Sequence, residues 1–218
     1  MVSGSAALPV PVFGRLRELT GHRPVERYGM TETLITISNR ADDRDRRPGQ
    51  VGVPVAGVRT RIVDDDGRDV PADGESIGEL WVRGPMLFDG YRNGPRFAGE
   101  WFRTGDIASA DAEGRHRIVG RRSTDLIKSG GYKIGSGEVE DALLAHPAVR
   151  EAAVVGTPHD DLGEQVTAYV VARGLTGGEL IDFVARTLSV HKRPREIRFV
   201  PELPRNAMGK VQKRLLSS

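Results

Sequence analysis

The sequence predicts an α+β fold in two parts joined near residue 121, and three observations carry that expectation. Residues 50–120 hold β-type runs broken by turn residues, and residues 121–218 alternate helix and strand patterns. Residues 1–49 hold one amphipathic stretch and one short strand, too little to close a core.

Taken in order, "SGSAALP" (residues 3–9) is a glycine-serine loop, followed by an amphipathic stretch around Leu16 and Leu19 and a strand running into "RYGMTET". These elements read as the edge of a larger domain. The runs "VGVPVAGVRTRIV", "IGELWVRG", "GDIASA" and "RHRIVG", separated by "DDDG" and "DAEG" among other turns, predict a small twisted sheet or β-barrel. In the second part, Ser136 precedes a helix with Val139, Ala142, Leu143 and Leu144 on one side, ended by His146-Pro147. "AAVVG" and "VTAYVVA" predict strands. "TGGE" (residues 176–179) is a capping box that opens a helix with Leu180, Phe183, Val184, Thr187 and Leu188 on one face. "EIRFV" gives another strand before the loop around Lys210, which completes a compact α+β domain of ordinary small size.

Composition narrows the chemistry. With 218 residues, 38% hydrophobic and 28% charged, the chain supports one large or two small soluble domains. No apolar run approaches a membrane span, and residues 1–10 carry no basic segment ahead of an apolar one, so neither a membrane partner nor a signal peptide is expected. The lack of cysteine excludes disulfides, thiol catalysis and thiolate metal sites and fits a cytoplasmic location. The five histidines never fall at metal-ligand spacing. A net charge of +2 from 32 basic and 30 acidic residues argues against nucleic acid as a partner. Only five of the basic residues are lysines (Lys128, Lys133, Lys192, Lys210 and Lys213), so each lysine points to a need for a compact point charge.

Four loops carry chemistry. "YGMTET" offers two threonine hydroxyls for phosphate and a glutamate able to hold magnesium. "RTGD" sets Asp106 directly after a glycine turn, where it can accept both hydroxyls of a ribose. "GRRSTDLIKSGGYKIGSGEVE" supplies guanidinium groups, a double-glycine turn and two lysines. "RNAMGKVQKR" sets Lys210 after a glycine, but Pro204 and Val211 stand where a nucleotide P-loop needs a glycine and a hydroxyl residue, so this is not such a loop.

The order YGMTE, GEL, TGD, GR…D-IK-GGYKI…E-E, PRN-GK resembles the adenylate-forming superfamily of acyl-CoA synthetases, luciferases and peptide-synthetase adenylation domains. Within it, "SGSAALP", "ERYGMTET" and "DLIKSGGYKIGSGEVE" look most like malonyl-CoA synthetases. The resemblance implies that residues 1–120 are the C-terminal remnant of a large AMP-binding domain, with 1–49 its edge segment and 50–120 a small β-barrel subdomain. Residues 121–218 would be the mobile C-terminal α+β domain. It implies ATP and AMP, Mg2+ and coenzyme A as cofactors, and malonate or methylmalonate as substrate.

Residue by residue, the resemblance implies Lys210, Glu32 and Thr31 as catalytic, with Glu32 also the magnesium ligand. Nucleotide or coenzyme contacts fall to Tyr28, Gly29, Met30, Asp106, Arg121, Gly130, Gly131, Tyr132 and Lys133, with Arg122 an alternative to Arg121. For the substrate it points to Arg27 and Ser5, with Arg15 the rival of Arg27 for the distal carboxylate. The family's glycine-, serine- and threonine-rich phosphate loop, normally well upstream of YGMTE, is not in these 218 residues. The expectation is therefore a truncated ligase, inactive in adenylation alone and needing an N-terminal half or partner chain. The alternative is a non-catalytic nucleotide- or CoA-binding accessory module.

Overall fold

The computed structural model describes residues 1–43, 45–207 and 209–216. They form two compact units, residues 1–118 and 119–218, each with its own core.

The first unit opens with β1 (Val2–Ser3), then α1 (Val10–Thr20), β2 (Val25–Met30), β3 (Leu34–Ser38) and β4 (Val53–Pro54), the strands forming a sheet in the order β1-β2-β3-β4. Pro11 lies in the first turn of α1, where its missing N–H costs nothing, and Gly21 closes the helix in the left-handed conformation. The side chain that α1 buries is Phe13; Leu19, expected on the apolar face, is 65% exposed. A second sheet contains β5 (Arg59–Val63), β6 (Gly78–Arg83), β7 (Phe102–Ala110) and β8 (His116–Arg121), in that order. The pairing among the described residues is that of an open four-stranded sheet, where the sequence predicts a sheet or barrel. Ile37 of the first sheet packs with Ile62, Leu80, Val82 and Ala108 of the second.

His116 begins β8 almost fully buried. Its Nδ1–H donates to the Gly114 carbonyl (2.9 Å) and its Nε2 accepts from the Thr60 hydroxyl (3.0 Å), which uses both nitrogens in the neutral form. Burial pushes the imidazole below its ordinary value, against the opposing pull of the Gly114 carbonyl and Asp111. A histidine with a depressed folded pKa stabilises the protein above its unfolded pKa, about 6.5, and that contribution is lost as the pH falls below it. The unfolding free energy measured in urea should therefore drop between pH 7.5 and 5.5, by up to about 1.4 kcal/mol per pH unit from this group. His116→Gln should show a shallower pH dependence, and an unchanged slope would remove His116 as its source.

The second unit contains β9 (Leu126–Ser129), β10 (Tyr132–Gly135), α2 (Ser136–Leu144), β11 (Val149–His159), β12 (Gly163–Ala172), α3 (Gly177–Val184) and β13 (Glu196–Phe199). β12 is central: β11 runs antiparallel along one side, β9 meets it at Gly163, and β13 pairs parallel further along. Because side chains alternate across a strand, Val166, Ala168 and Val170 face the core formed with α2 and α3, built on Val139, Leu143, Leu180 and Val184. Tyr169 and Val171 face the other way and pack with Leu203 and Leu216 of the chain end. Cover on both faces is why β12 reads as an almost continuous apolar run. α3 carries the expected capping box: Thr176 Oγ1 accepts from the Glu179 N–H, and the Glu179 carboxylate accepts from the Thr176 N–H (2.8 Å).

Candidate functional site

Most of the residues singled out by the sequence lie at three places, one in the first unit and two in the second. In the first unit, β2 and β3 form a hairpin whose turn holds Thr31 and Glu32. Gly29 is required there by close approach, since a Cβ on it would lie 1.9 Å from the Leu34 carbonyl oxygen. Tyr28 donates from Oη to Asp106 Oδ2 at 2.5 Å, although the two lie 78 residues apart. The RTGD segment is not a turn between strands, as the sequence suggests. It is a bulge within β7: the register passes from Trp81↔Arg103 to Glu79↔Ile107, and Gly105 has φ 72° at the irregularity. Thr104 ties the bulge down, donating to the Leu80 carbonyl (2.8 Å) and accepting from the Asp106 N–H (3.1 Å). The result is a buried carboxylate of fixed orientation beside the YGMTE hairpin, able to accept hydroxyl groups.

Glu32 is held from two directions. Its carbonyl accepts from the Phe88 N–H (2.9 Å) and its Oε1 accepts from the Tyr91 hydroxyl (2.8 Å). That hydrogen bond, followed by burial and the carboxylate charge, raises the Tyr91 pKa, so the phenol remains a donor at neutral pH. Among the described residues no group of three or more His, Asp or Glu side chains could hold a metal by itself. A single carboxylate in the turn that also holds Thr31 fits magnesium, which takes one or two protein carboxylates and completes its octahedron with water and substrate phosphates.

The residues considered for a second carboxylate lie on the surface. Arg27 is exposed on β2 because strand alternation turns the neighbouring Glu26 inward instead. Its stem lies against the Gly4 backbone, a Cβ built there falling 3.2 Å from Arg27 Cγ, and Ser5 follows with φ 69°. Arg15 pairs with Glu18 on the exposed side of α1 (3.3 Å).

In the second unit, Gly130 (φ 56°) and Gly131 (φ 84°) are the two central residues of the β9–β10 hairpin. Both need the left-handed region, as in a type I′ turn. Tyr132 follows and stacks on His191 with ring centres 4.2 Å apart and planes at 14°. Lys133 is exposed beside it. Arg121 closes β8 and its N–H donates to Asp125 Oδ2 (2.9 Å); Arg122 lies in the turn that follows.

The Lys210 loop is pinned rather than loose. Arg205 and Val211 form a β-bridge, the Asn206 N–H donates to the Lys210 carbonyl (2.9 Å), and the Lys210 N–H donates to Asn206 Oδ1 (2.9 Å). Arg205 reaches the Gly209 carbonyl (2.6 Å) and pairs with Glu151. Lys210 itself is exposed, so its ammonium stands at the surface of a backbone held by these hydrogen bonds. Met208, inside this loop, lies outside the described residues.

The residue that sequence reasoning passed over is Lys213. Its ammonium donates to Asp125 Oδ1, Ser136 Oγ and Glu140 Oε1, each at 2.7 Å, which suits a group with three donors. Burial pulls the Lys213 pKa down, but Glu140 and Asp125 more than offset this and hold it above the ordinary value. Burial likewise raises Asp125, and the Lys213 charge more than offsets that, holding it below the ordinary carboxylate value. The scarcity of lysine was the available signal. A cleft of about 430 Å³ adjoins this cluster, lined in part by Ser123, Thr124, Glu164, Lys213 and Arg214.

The chain belongs to the adenylate-forming, AMP-binding enzymes. Residues 1–92 match the AMP-binding enzyme family and residues 138–210 the AMP-binding enzyme C-terminal domain. The human mitochondrial malonate–CoA ligase is 41% identical over 99% of this chain and 42% of its own length. Among solved structures, ATP-bound MatB from Rhodopseudomonas palustris superposes with a TM-score of 0.88 at 38% identity, covering 99% of this chain and 44% of that one. An anthranilate CoA ligase bound to anthranoyl-AMP gives a TM-score of 0.87 at 36% identity, covering 99% and 43%. The chain thus spans less than half the length of these relatives. Among its described residues no helix is long and apolar enough to cross a membrane.

Proposed function

We propose that this chain forms part of an acyl-CoA ligase for a small dicarboxylate such as malonate or methylmalonate. In the first step a carboxylate oxygen attacks the α-phosphorus of ATP, and pyrophosphate leaves. In the second, the thiol sulfur of coenzyme A attacks the acyl carbonyl, and AMP leaves. The observation that carries this reading is the Lys210 loop, whose fixed backbone presents an exposed ammonium able to meet the charge that builds on the carboxylate and α-phosphate. Asp106, oriented by Tyr28, would take the ribose hydroxyls, with Arg121 or Arg122 adding a contact. The hairpin backbone at Gly29 and Met30 lies beside the nucleotide on this reading. Thr31 would bond phosphate. Magnesium, when bound, neutralises phosphate charge, and Glu32 is the side chain that would hold it. Gly130, Gly131, Tyr132 and Lys133 would border the pantetheine arm.

On this reading residues 1–120 are the last part of the large AMP-binding domain, with 50–120 its barrel-like subdomain. Residues 121–218 are then the small domain that turns between the two steps. The identity to a malonate–CoA ligase favours a dicarboxylate, and a cytoplasmic location accords with the cysteine-free composition, although that human relative is mitochondrial.

The direct test supplies ATP, magnesium, malonate and coenzyme A to the chain joined to, or mixed with, an N-terminal portion of such a ligase, and looks for malonyl-CoA by mass. Absence of any thioester with malonate or methylmalonate would count against the substrate. If Arg27 reads the distal carboxylate, Arg27→Ala should reduce kcat/KM for malonate by about 10- to 100-fold, the scale of a lost charged hydrogen bond, with little effect on acetate or propionate. Equal losses for all acids would make Arg27 structural and return attention to Arg15.

A further inference from the structure

We propose that Tyr91 is a positioning residue for magnesium: its hydroxyl holds Oε1 of Glu32 and so orients the carboxylate toward the metal and the nucleotide phosphates. The inference rests on the reading of Glu32 as the magnesium-holding residue and adds a residue to it.

The geometry is specific. Tyr91 lies 59 residues beyond Glu32 in sequence and donates to its carboxylate at 2.8 Å. Three residues before Tyr91, the Phe88 N–H donates to the Glu32 carbonyl at 2.9 Å, so one short segment grips both the main chain and the side chain of Glu32. An aromatic cluster fixes that segment. The Phe88 ring meets Tyr91 edge-on at 4.9 Å and Phe102 edge-on at 5.4 Å, while Phe97 stacks on Phe88 at 6.0 Å. Tyr91 is nevertheless 61% exposed, so its ring is placed by one edge of this cluster and its hydroxyl reaches over the turn rather than into a core. An exposed hydrogen bond between neutral and charged side chains adds little to stability, which leaves orientation of the carboxylate as what this contact accomplishes. Partners that orient a metal-binding carboxylate have this arrangement, and their loss commonly costs 10- to 100-fold in metal affinity.

Tyr91→Phe keeps the ring and its aromatic contacts and removes only the hydroxyl. This chain joined to an N-terminal portion of a related ligase serves as wild type, Tyr91→Phe and Glu32→Gln. Calorimetry gives ATP affinity with magnesium and with EDTA, and manganese titration followed by electron paramagnetic resonance gives metal affinity in the presence of ATP. Tyr91→Phe should weaken metal binding about 10-fold, leave ATP binding in EDTA unchanged, and melt at the wild-type temperature. Glu32→Gln should show the same pattern with a larger loss. If Glu32→Gln weakens the metal and Tyr91→Phe does not, or if Tyr91→Phe weakens ATP equally with and without metal, the role of Tyr91 is overturned while that of Glu32 stands. If Glu32→Gln leaves metal affinity unchanged, the reading of Glu32 fails and the proposal fails with it.

Discussion

Lys210→Ala should slow acyl-adenylate formation by about 100-fold or more, the scale of removing a charge aimed at a transition state. Thioester formation from supplied malonyl-adenylate and coenzyme A should survive. Asn206, Arg205 and the bridge to Val211 fix the backbone, so the alanine variant loses the ammonium without loosening its support. On the proposed mechanism the second unit turns after the first step, bringing the Gly131 hairpin to the reacting carbonyl in place of the Lys210 loop. Lys210→Arg should rescue poorly, because a branched planar guanidinium does not match a site fitted to an ammonium. A folded variant that loses both steps equally would show that Lys210 is not confined to the first.

The second large effect is structural. Lys213→Met should destabilise the protein by about 2 kcal/mol or more, short of the roughly 3–5 kcal/mol of a fully buried pair, because Asp125 and Glu140 would be left as mostly buried carboxylates without their cation. Lys213→Arg should recover little, since three acceptors converge on one nitrogen. Adding Asp125→Asn to Lys213→Met should restore part of the loss, a coupling that a double-mutant cycle in urea measures directly. The pH dependence has a defined sign. The depressed Asp125 contributes stability above the unfolded carboxylate value, about 3.9, which disappears as the pH falls through its folded value. The raised Lys213 contributes below the unfolded ammonium value, about 10.4, and its share disappears as the pH rises through the folded one. A Lys213→Met protein as stable as wild type would show that the cluster contributes nothing net.

Local patterns in the sequence exposed what local physics decides. The Thr176–Glu179 capping box and the apolar β12 follow from spacing alone, and both stand in the structure. The double glycine is where a two-residue hairpin needs positive φ. Contacts over long sequence separation were not legible in the same way. Nothing near Glu32 announces Tyr91, and nothing near Asp125 announces Lys213, 88 residues away. RTGD looked like a turn because a glycine with positive φ is common to turns and bulges, and only the pairing of β7 with β6 separates them. Leu19 looked inward because it lies in an apolar-polar alternating stretch, but the side chain that α1 buries is Phe13.

Exchange of radiolabelled pyrophosphate into ATP, dependent on added carboxylate, tests most directly whether this chain serves adenylate formation. The measurement uses the chain joined to an N-terminal portion of a related ligase and needs no coenzyme A, so it reads the first step alone. Malonate should support exchange, Lys210→Ala should reduce it by about 100-fold, and acetate should support it less well than malonate. ATP binding of normal affinity with no exchange for any carboxylate would contradict the ligase account and identify a nucleotide-binding module instead.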